Sequence, residues 1–362
     1  MADQLKPVDY KKIIRYVLQN WQKLGLPETD QTKLGFKVLP FRRSGPHSLL
    51  NFMISSADAP VLVVRGPRFI SASIAIEGLK HEALLLKELL LIEPLKAHIP
   101  ILLKDLLIDD CPILLVKACS GTMLHTLLDT ETVPDKLARL IRSGADLAQS
   151  LHLATKKPER TLDSKLISDQ AAKTLPLVRQ HLPEKAAALE KQLELYLQKL
   201  GNEKTDIPGV CSHEEFNPWN ILQQPGGQLI ALDWEDAVSD GLPLLDLYNY
   251  FLICMRILIA GESQSAKQRP QTEQQQRFAI LLRTFTESIA AYCQALNLPE
   301  QAKDPLFVLF GLRSLAFFLD PKRQSVAYAK HWLPLLTGLD QKDLFSEHLA
   351  KEARGHWRAN KK

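Results

Sequence analysis

Cysteine is scarce in this chain: five residues in 362, an odd number with no C-x-x-C spacing. That argues against a disulfide framework and predicts reduced thiols in the cytoplasm. Charge of one sign is missing as well. Lys and Arg total 45 against 41 Asp and Glu, a formal net charge of +4. So small an excess, with no long basic run before the C-terminus, predicts no nucleic-acid partner. No apolar run reads as a membrane span. The most apolar stretch, Leu242 to Ala260, carries Asp246, Asn249 and Arg256 and predicts a buried helix instead. Met1 to Leu26 mixes Asp and Glu with Lys and lacks the apolar segment of a secretory signal. Internal repeats are absent too. What is present is 46% apolar and 24% charged residues, the balance of a soluble cytoplasmic protein large enough for two lobes, each with its own core.

Along the chain the hydrophobic period changes. Residues 8–24 (VDYKKIIRYVLQNWQKL) have the spacing of an amphipathic helix. Between Phe36 and Arg68 the runs FKVLPFRR, HSLLNFMISS and PVLVVRG, separated by SGP and ADA, predict an antiparallel meander. ASIAIEGLKHEALLLKELL returns to helical spacing with Leu79, Leu84, Leu86 and Leu90 expected inward. ILLKDLLID and CPILLVKA form a strand pair turning at Asp109-Asp110. Beyond Gly121 the pattern is helical, at 137–151, 189–200, 277–299 and 304–319, with a polar Gln-rich loop expected at 261–276.

One stretch breaks that helical half: VCSHEEFNPWNILQQPGGQLIALDWEDAV, residues 210–238. Glu215 and Asn220 lie five apart on a loop, and Asp233 follows a hairpin turn at Gly226-Gly227. Carboxylate and amide oxygens are hard ligands suited to Mg²⁺ carrying phosphates. A further carboxylate that accepts a hydroxyl proton would complete a phosphoryl-transfer site. A zinc site of the H-E-x-x-H type is excluded because HEEFN lacks the second histidine.

These residues resemble the aminoglycoside phosphotransferase and choline kinase-like family, small-molecule relatives of protein kinases. The family's H-G-D-x-x-P-x-N is matched by HEEFNPWN, its ID[WF]E by LDWE at 232–235, and its P-x-x-D-L by PLLDL with Asp246. The resemblance implies an α+β, two-lobed protein kinase-like fold. The N-terminal lobe is expected over 1–116, with a hinge at 117–121. A mainly helical lobe over 122–362 would carry the catalytic and metal loops at 211–238. It also implies ATP in the interlobe cleft and Mg²⁺ held by Asn220 and Asp233, with Glu215 in place of the catalytic Asp that orients the acceptor hydroxyl. His213 and Asp246 would support the loop. Upstream, LVVRGPR resembles the strand of the phosphate-binding Lys, here Arg65, and Glu82 takes the place of its helix partner, with Glu77 as a rival. RRSGPHSLLNF resembles the phosphate-covering loop, assigning Ser44, Gly45 and Ser48. LLVKACSG resembles the connection that receives adenine through Lys117 C=O and Cys119 N–H.

Two departures keep charge and change geometry. Glu215 is one methylene longer than Asp, a displacement of about 1 Å, and misplacement on that scale can cost on the order of 10²-fold in rate. Arg65 is a rigid planar fork where the family has a point charge. The pattern allows an ATP- and Mg²⁺-dependent kinase acting on a hydroxyl of a sugar-like molecule or amino alcohol. The kinase is the preferred expectation, and a pseudokinase-type nucleotide-binding module is the alternative. Residues 301–362 hold eleven Lys or Arg against six Asp or Glu, a poor match for a polycationic acceptor. Glu214 and the five basic residues of KEARGHWRANKK are expected to be solvated, and Trp219 and Trp234 to pack.

Overall fold

Period-two runs of branched residues become the strands of a five-stranded antiparallel sheet in which, counting in chain order, the third strand neighbours the second and the fifth, and the fourth forms an edge. The structure, a computed structural model, describes residues 6–39, 49–57, 59–259 and 269–320. Ser44, Gly45, Ser48 and the basic C-terminal tail lie outside the described residues. Contacts divide the chain into two units, Met1–Leu124 with Trp219–Ala237, and His125–Pro218 with Val238–Lys362.

In the first unit, α1 (Tyr10–Gln19) precedes β1 (Leu34–Val38), β2 (Leu49–Ser56) and β3 (Ala59–Pro67). Then come α2 (Ser73–Leu89), β4 (Leu102–Ile108), β5 (Cys111–Lys117) and the short β6 (Thr122–Met123). The β4–β5 turn falls on Asp109 and Asp110, both with positive φ (51° and 61°), as the Asp-Asp pair suggests. Alternation decides which face each strand residue occupies. Leu62 and Val64 of β3, with Ile113 and Leu115 of β5, pack with Ile13 and Val17 of α1 and with Trp21. Leu114 and Val116 point the other way, onto Leu79 and Ala83 of α2. Arg65, next after Val64, therefore takes the α2 side.

On α2 the inward arc is Leu79, Glu82, Ala83, Leu85, Leu86 and Leu89. Leu84 lies outside it and is 62% exposed, contrary to its expected inward position, because an arc centred on 79, 82, 83 and 86 leaves 84 on the far side. After a long excursion the chain returns to this unit with β9 (Ile221–Gln223) and β10 (Leu229–Ala231), a hairpin that joins β6 in a second sheet.

The second unit holds α3 (Leu124–Thr130), α4 (Pro134–Ala154), β7 (Lys157–Asp163), α5 (Ser164–His181), α6 (Pro183–Leu200) and β8 (Lys204–Ser212). It continues with β11 (Val238–Gly241), α7 (Leu245–Leu258), α8 (Gln271–Leu296) and α9 (Lys303–Leu319). The buried helix expected near 242–260 is α7. The helical expectation fails at 157–163, which form β7 and pair antiparallel with β8. KPERTLD buries only Leu162, so its pattern carries no hydrophobic alternation to betray a strand. The polar segment at 271–276 is also not loop. It is the first turns of α8, where Gln274 is buried. Gly144 of α4 has a packing reason, since an added Cβ would stand 2.3 Å from the Tyr250 hydroxyl of α7. Among the described residues no helix is long and apolar enough to cross a membrane.

Candidate active site

The first unit gathers Arg65, Glu82, Asn220 and Asp233. Arg65 is fixed by a central strand, paired to Asn51 on β2 and Leu114 on β5. Its Nη1 donates to Glu82 Oε1 at 2.5 Å and its Nη2 to Asp233 Oδ1 at 2.6 Å. Glu235 brings a third carboxylate to 4.0 Å from Nη2. The sequence-expected pair of Arg65 with Glu82 is therefore present, and the rival Glu77 is exposed. The Arg65–Asp233 and Arg65–Glu235 contacts were not anticipated. They join residues 168 or more apart in the chain, and the Glu of LDWE is their visible signal.

Burial sets the charge states here. Burial alone would lower the Arg65 pKa, but Glu82, Asp233 and Glu235 outweigh it and raise it above the ordinary guanidinium value. Glu82 is fully enclosed, and burial pushes its carboxyl up to about 6 although Arg65 pulls it down.

Asn220 and Asp233 flank the β9–β10 hairpin. Ile221 pairs with Ala231, and Leu232 N–H donates to Asn220 O at 2.7 Å, so the two side chains are carried at the same open end of one ribbon. The amide and the carboxylate are hard oxygen donors. Among the described residues no three His, Cys, Asp or Glu side chains form a metal cage. Magnesium at a nucleotide takes one or two protein oxygens beside phosphates and water, so this donor set fits it. Lys117 ends β5, its N–H donating to Ile101 O at 2.9 Å, and Cys119 is half-buried just beyond it.

The second unit builds the loop around Glu215. Asp246, in the first turn of α7, accepts from His213 N–H (2.7 Å), Glu214 N–H (2.9 Å) and the Ser212 hydroxyl (3.1 Å). His152 Nε2 lies 3.0 Å from the same carboxylate, while its Nδ1 meets the Tyr292 hydroxyl. Burial would raise the Asp246 pKa. Hydrogen bonds and charge from His152, with the contributions of His213, reverse this and hold it below its ordinary value. His213 itself is buried, its ring edge-on to Phe216. Glu215 is half-buried; its N–H donates to His213 O at 2.8 Å, and its carbonyl accepts from Asn217. His152 and Tyr292 were missed in the sequence. The available signal was a lone histidine among the apolar positions of α4.

Glu214 corrects an expectation. It is not merely solvated: its Oε2 accepts from Arg313 Nη2 of α9 at 2.7 Å, with its side chain 18% exposed. Its φ is 65°, the left-handed region, which explains why glycine suits this position in H-G-D. Arg313 is the one charged side chain in an otherwise apolar run, FVLFGLRSLAFFL, and that was the readable clue. Glu214→Gly is expected to be more stable than Glu214→Ala by roughly 0.5–1 kcal/mol. That is the left-handed penalty of about 1–2 kcal/mol on alanine less glycine's greater unfolded-state entropy. Urea midpoints of the two variants test it.

Trp234 packs as expected, its Nε1 donating to Ala231 O at 2.8 Å. A family model described as the phosphotransferase enzyme family (APH) matches residues 46–282. The chain belongs to this family. Within the phosphotransferase match lie Arg65, Glu82, Lys117, Cys119, His213, Glu215, Asn220, Asp233 and Asp246; α1 and Arg313 fall outside it. Among solved structures, the chain is similar to a glucosamine kinase. Identity is 13% over 96% of this chain and 85% of that one, with a TM-score of 0.54. It is also similar to a candidate aminoglycoside phosphotransferase from Ralstonia eutropha JMP134, at 14% identity over 93% and 98% of the two chains with a TM-score of 0.53. At such identities these likenesses speak to the fold, which is protein kinase-like with a small antiparallel lobe and a larger helical part. Comparison with curated proteins finds no relative.

Proposed function

We propose that this phosphotransferase-family protein transfers the terminal phosphoryl group of ATP to a hydroxyl of a small molecule. The observation that carries the reading is the hairpin end that presents Asn220 and Asp233 together, with Arg65 donating to Asp233. Asn220 and Asp233 would hold magnesium, which when bound neutralises the phosphates and the charge that develops during transfer. Arg65 supplies positive charge beside Asp233, and Glu82 fixes Arg65. The backbone of Lys117 and Cys119 takes the purine edge. In the second unit Glu215 accepts the hydroxyl proton of the acceptor, and Asp246 holds the backbone of its loop through His213 and Glu214. The excess of basic residues over 301–362 favours a neutral or anionic sugar-like acceptor over a polycation.

The lengthened acid at Glu215 favours one competing reading, a module that binds nucleotide without turnover. Turnover against pooled sugars and amino alcohols, measured beside a thermal shift with ATP and magnesium, separates the two. Under the kinase reading Glu215→Gln loses about 10²- to 10⁴-fold of turnover, the range of a positioned proton acceptor, while the nucleotide-induced shift persists. A shift in wild type with no turnover that Glu215→Gln can lower establishes the module instead.

A further inference from the structure

Asp233 has φ 70°, left-handed backbone that costs a non-glycine residue of order 1–3 kcal/mol and persists only where its surroundings over-determine it. Two bonds from the β3–α2 pair supply that restraint. Arg65 Nη2 donates to the Asp233 carboxylate at 2.6 Å, and Trp234 N–H, the next residue, donates to Glu82 Oε1 at 3.4 Å. Glu82 Oε1 is also the acceptor for Arg65 Nη1, so one carboxylate oxygen anchors both arms.

The arginine is enclosed and held by protein carboxylates. Its side chain is 10% exposed and each of its two terminal nitrogens is engaged by a carboxylate. Among the described residues its Nε is buried with no hydrogen-bond partner. Of the five guanidinium N–H donors, one on each terminal nitrogen is given to a protein carboxylate. The guanidinium fork can bridge two carboxylates at a fixed angle, whereas a lysine ammonium at the same place is a single point that cannot hold both arms in that geometry.

We propose that Arg65 is a positioning residue: it bridges Glu82 to Asp233 and aims the Asp233 carboxylate at the metal, in place of direct contact with nucleotide phosphates. The family's phosphate cation has thereby become an orienting group for the metal ligand. Glu235 Oε2, 4.0 Å from Nη2, adds a third carboxylate beside the arginine. The inference rests on the proposed use of Asn220 and Asp233 as a magnesium site.

The test is calorimetry of ADP binding to the full chain, with magnesium and separately in EDTA. Arg65→Lys is expected to weaken ADP binding in magnesium by about 10-fold or more, the usual loss when a group that orients a metal ligand is changed. Binding in EDTA is expected to stay as in wild type, because no phosphate contact is lost. In an Asp233→Asn background the same change should do nothing further, since no ligand charge is left to aim. Glu82→Gln, which cuts the anchor and leaves the guanidinium intact, provides a second variant with the same expected split. Equal weakening in magnesium and EDTA would place Arg65 on the phosphates and overturn the proposal alone. Absence of ADP binding to wild type in either condition would overturn the phosphotransferase reading and this inference together.

Discussion

Asp233→Asn is expected to slow phosphoryl transfer by about 10²- to 10³-fold or more, the scale on which removal of one preorganised charge-stabilising group is felt. The substitution is informative because the backbone tolerates it. Asparagine enters the left-handed region as readily as aspartate, so φ 70° at position 233 imposes no new strain. The side chains have nearly the same shape, and Arg65 retains Glu82 at 2.5 Å. Melting temperature is thus expected to move little while magnesium ceases to strengthen nucleotide binding. Steady-state turnover with a magnesium titration, run beside thermal melts, reads both. Wild-type turnover and wild-type magnesium dependence in this variant would remove Asp233 from the proposed metal site.

The second large effect is on stability. Asp246→Asn removes the charge from a carboxylate, 2% exposed, that accepts from two backbone N–H groups and a serine hydroxyl and faces His152. Losing one member of so enclosed a network is expected to cost about 3–5 kcal/mol. The pH dependence has a definite sign. Asp246 is held below its ordinary pKa of 3.8 in the folded chain, so the unfolded chain binds its proton first. Its contribution is therefore fully present above that ordinary value and is lost as pH falls through the depressed folded value. Asp246→Asn lacks this term at every pH. Its urea midpoint is expected to lie below wild type near neutrality, and the gap to narrow in acid below about pH 4. A gap that stays constant, or widens, as pH drops through that window contradicts the assignment.

Sequence reading reached those parts of the molecule whose residues advertise a period or a fixed local order. Arg65 on the strand VLVVR and Glu82 on the helix that follows were legible through their likeness to the family's strand cation and its helix glutamate, whereas helical spacing alone had turned Leu84 inward in error. The Asn220–Asp233 juxtaposition was legible because Gly226-Gly227 marks the hairpin turn between them. What escaped depends on encounters between distant segments. Arg65 with Asp233 and Glu214 with Arg313 are set by packing that local patterns do not encode. Strand β7 escaped for another reason: its lysine, glutamate and arginine side chains are mostly exposed, and β8 supplies the apolar content for both. Helix α5 continues through Pro176, a residue that from sequence alone argues for a break.

The helix formed by residues 10–19 has a consequence for where this domain begins. Ile13 and Val17, with Trp21 just beyond, interlock with Ile54, Leu62, Val64, Ile113 and Leu115, yet all three precede the first residue the family model matches. A frontier drawn by homology thus passes through a continuous oily interior rather than between folding bodies. Evolutionary kinship and mechanical wholeness have different edges in this polypeptide, and the five-stranded sheet leans on residues outside its kin-recognised portion.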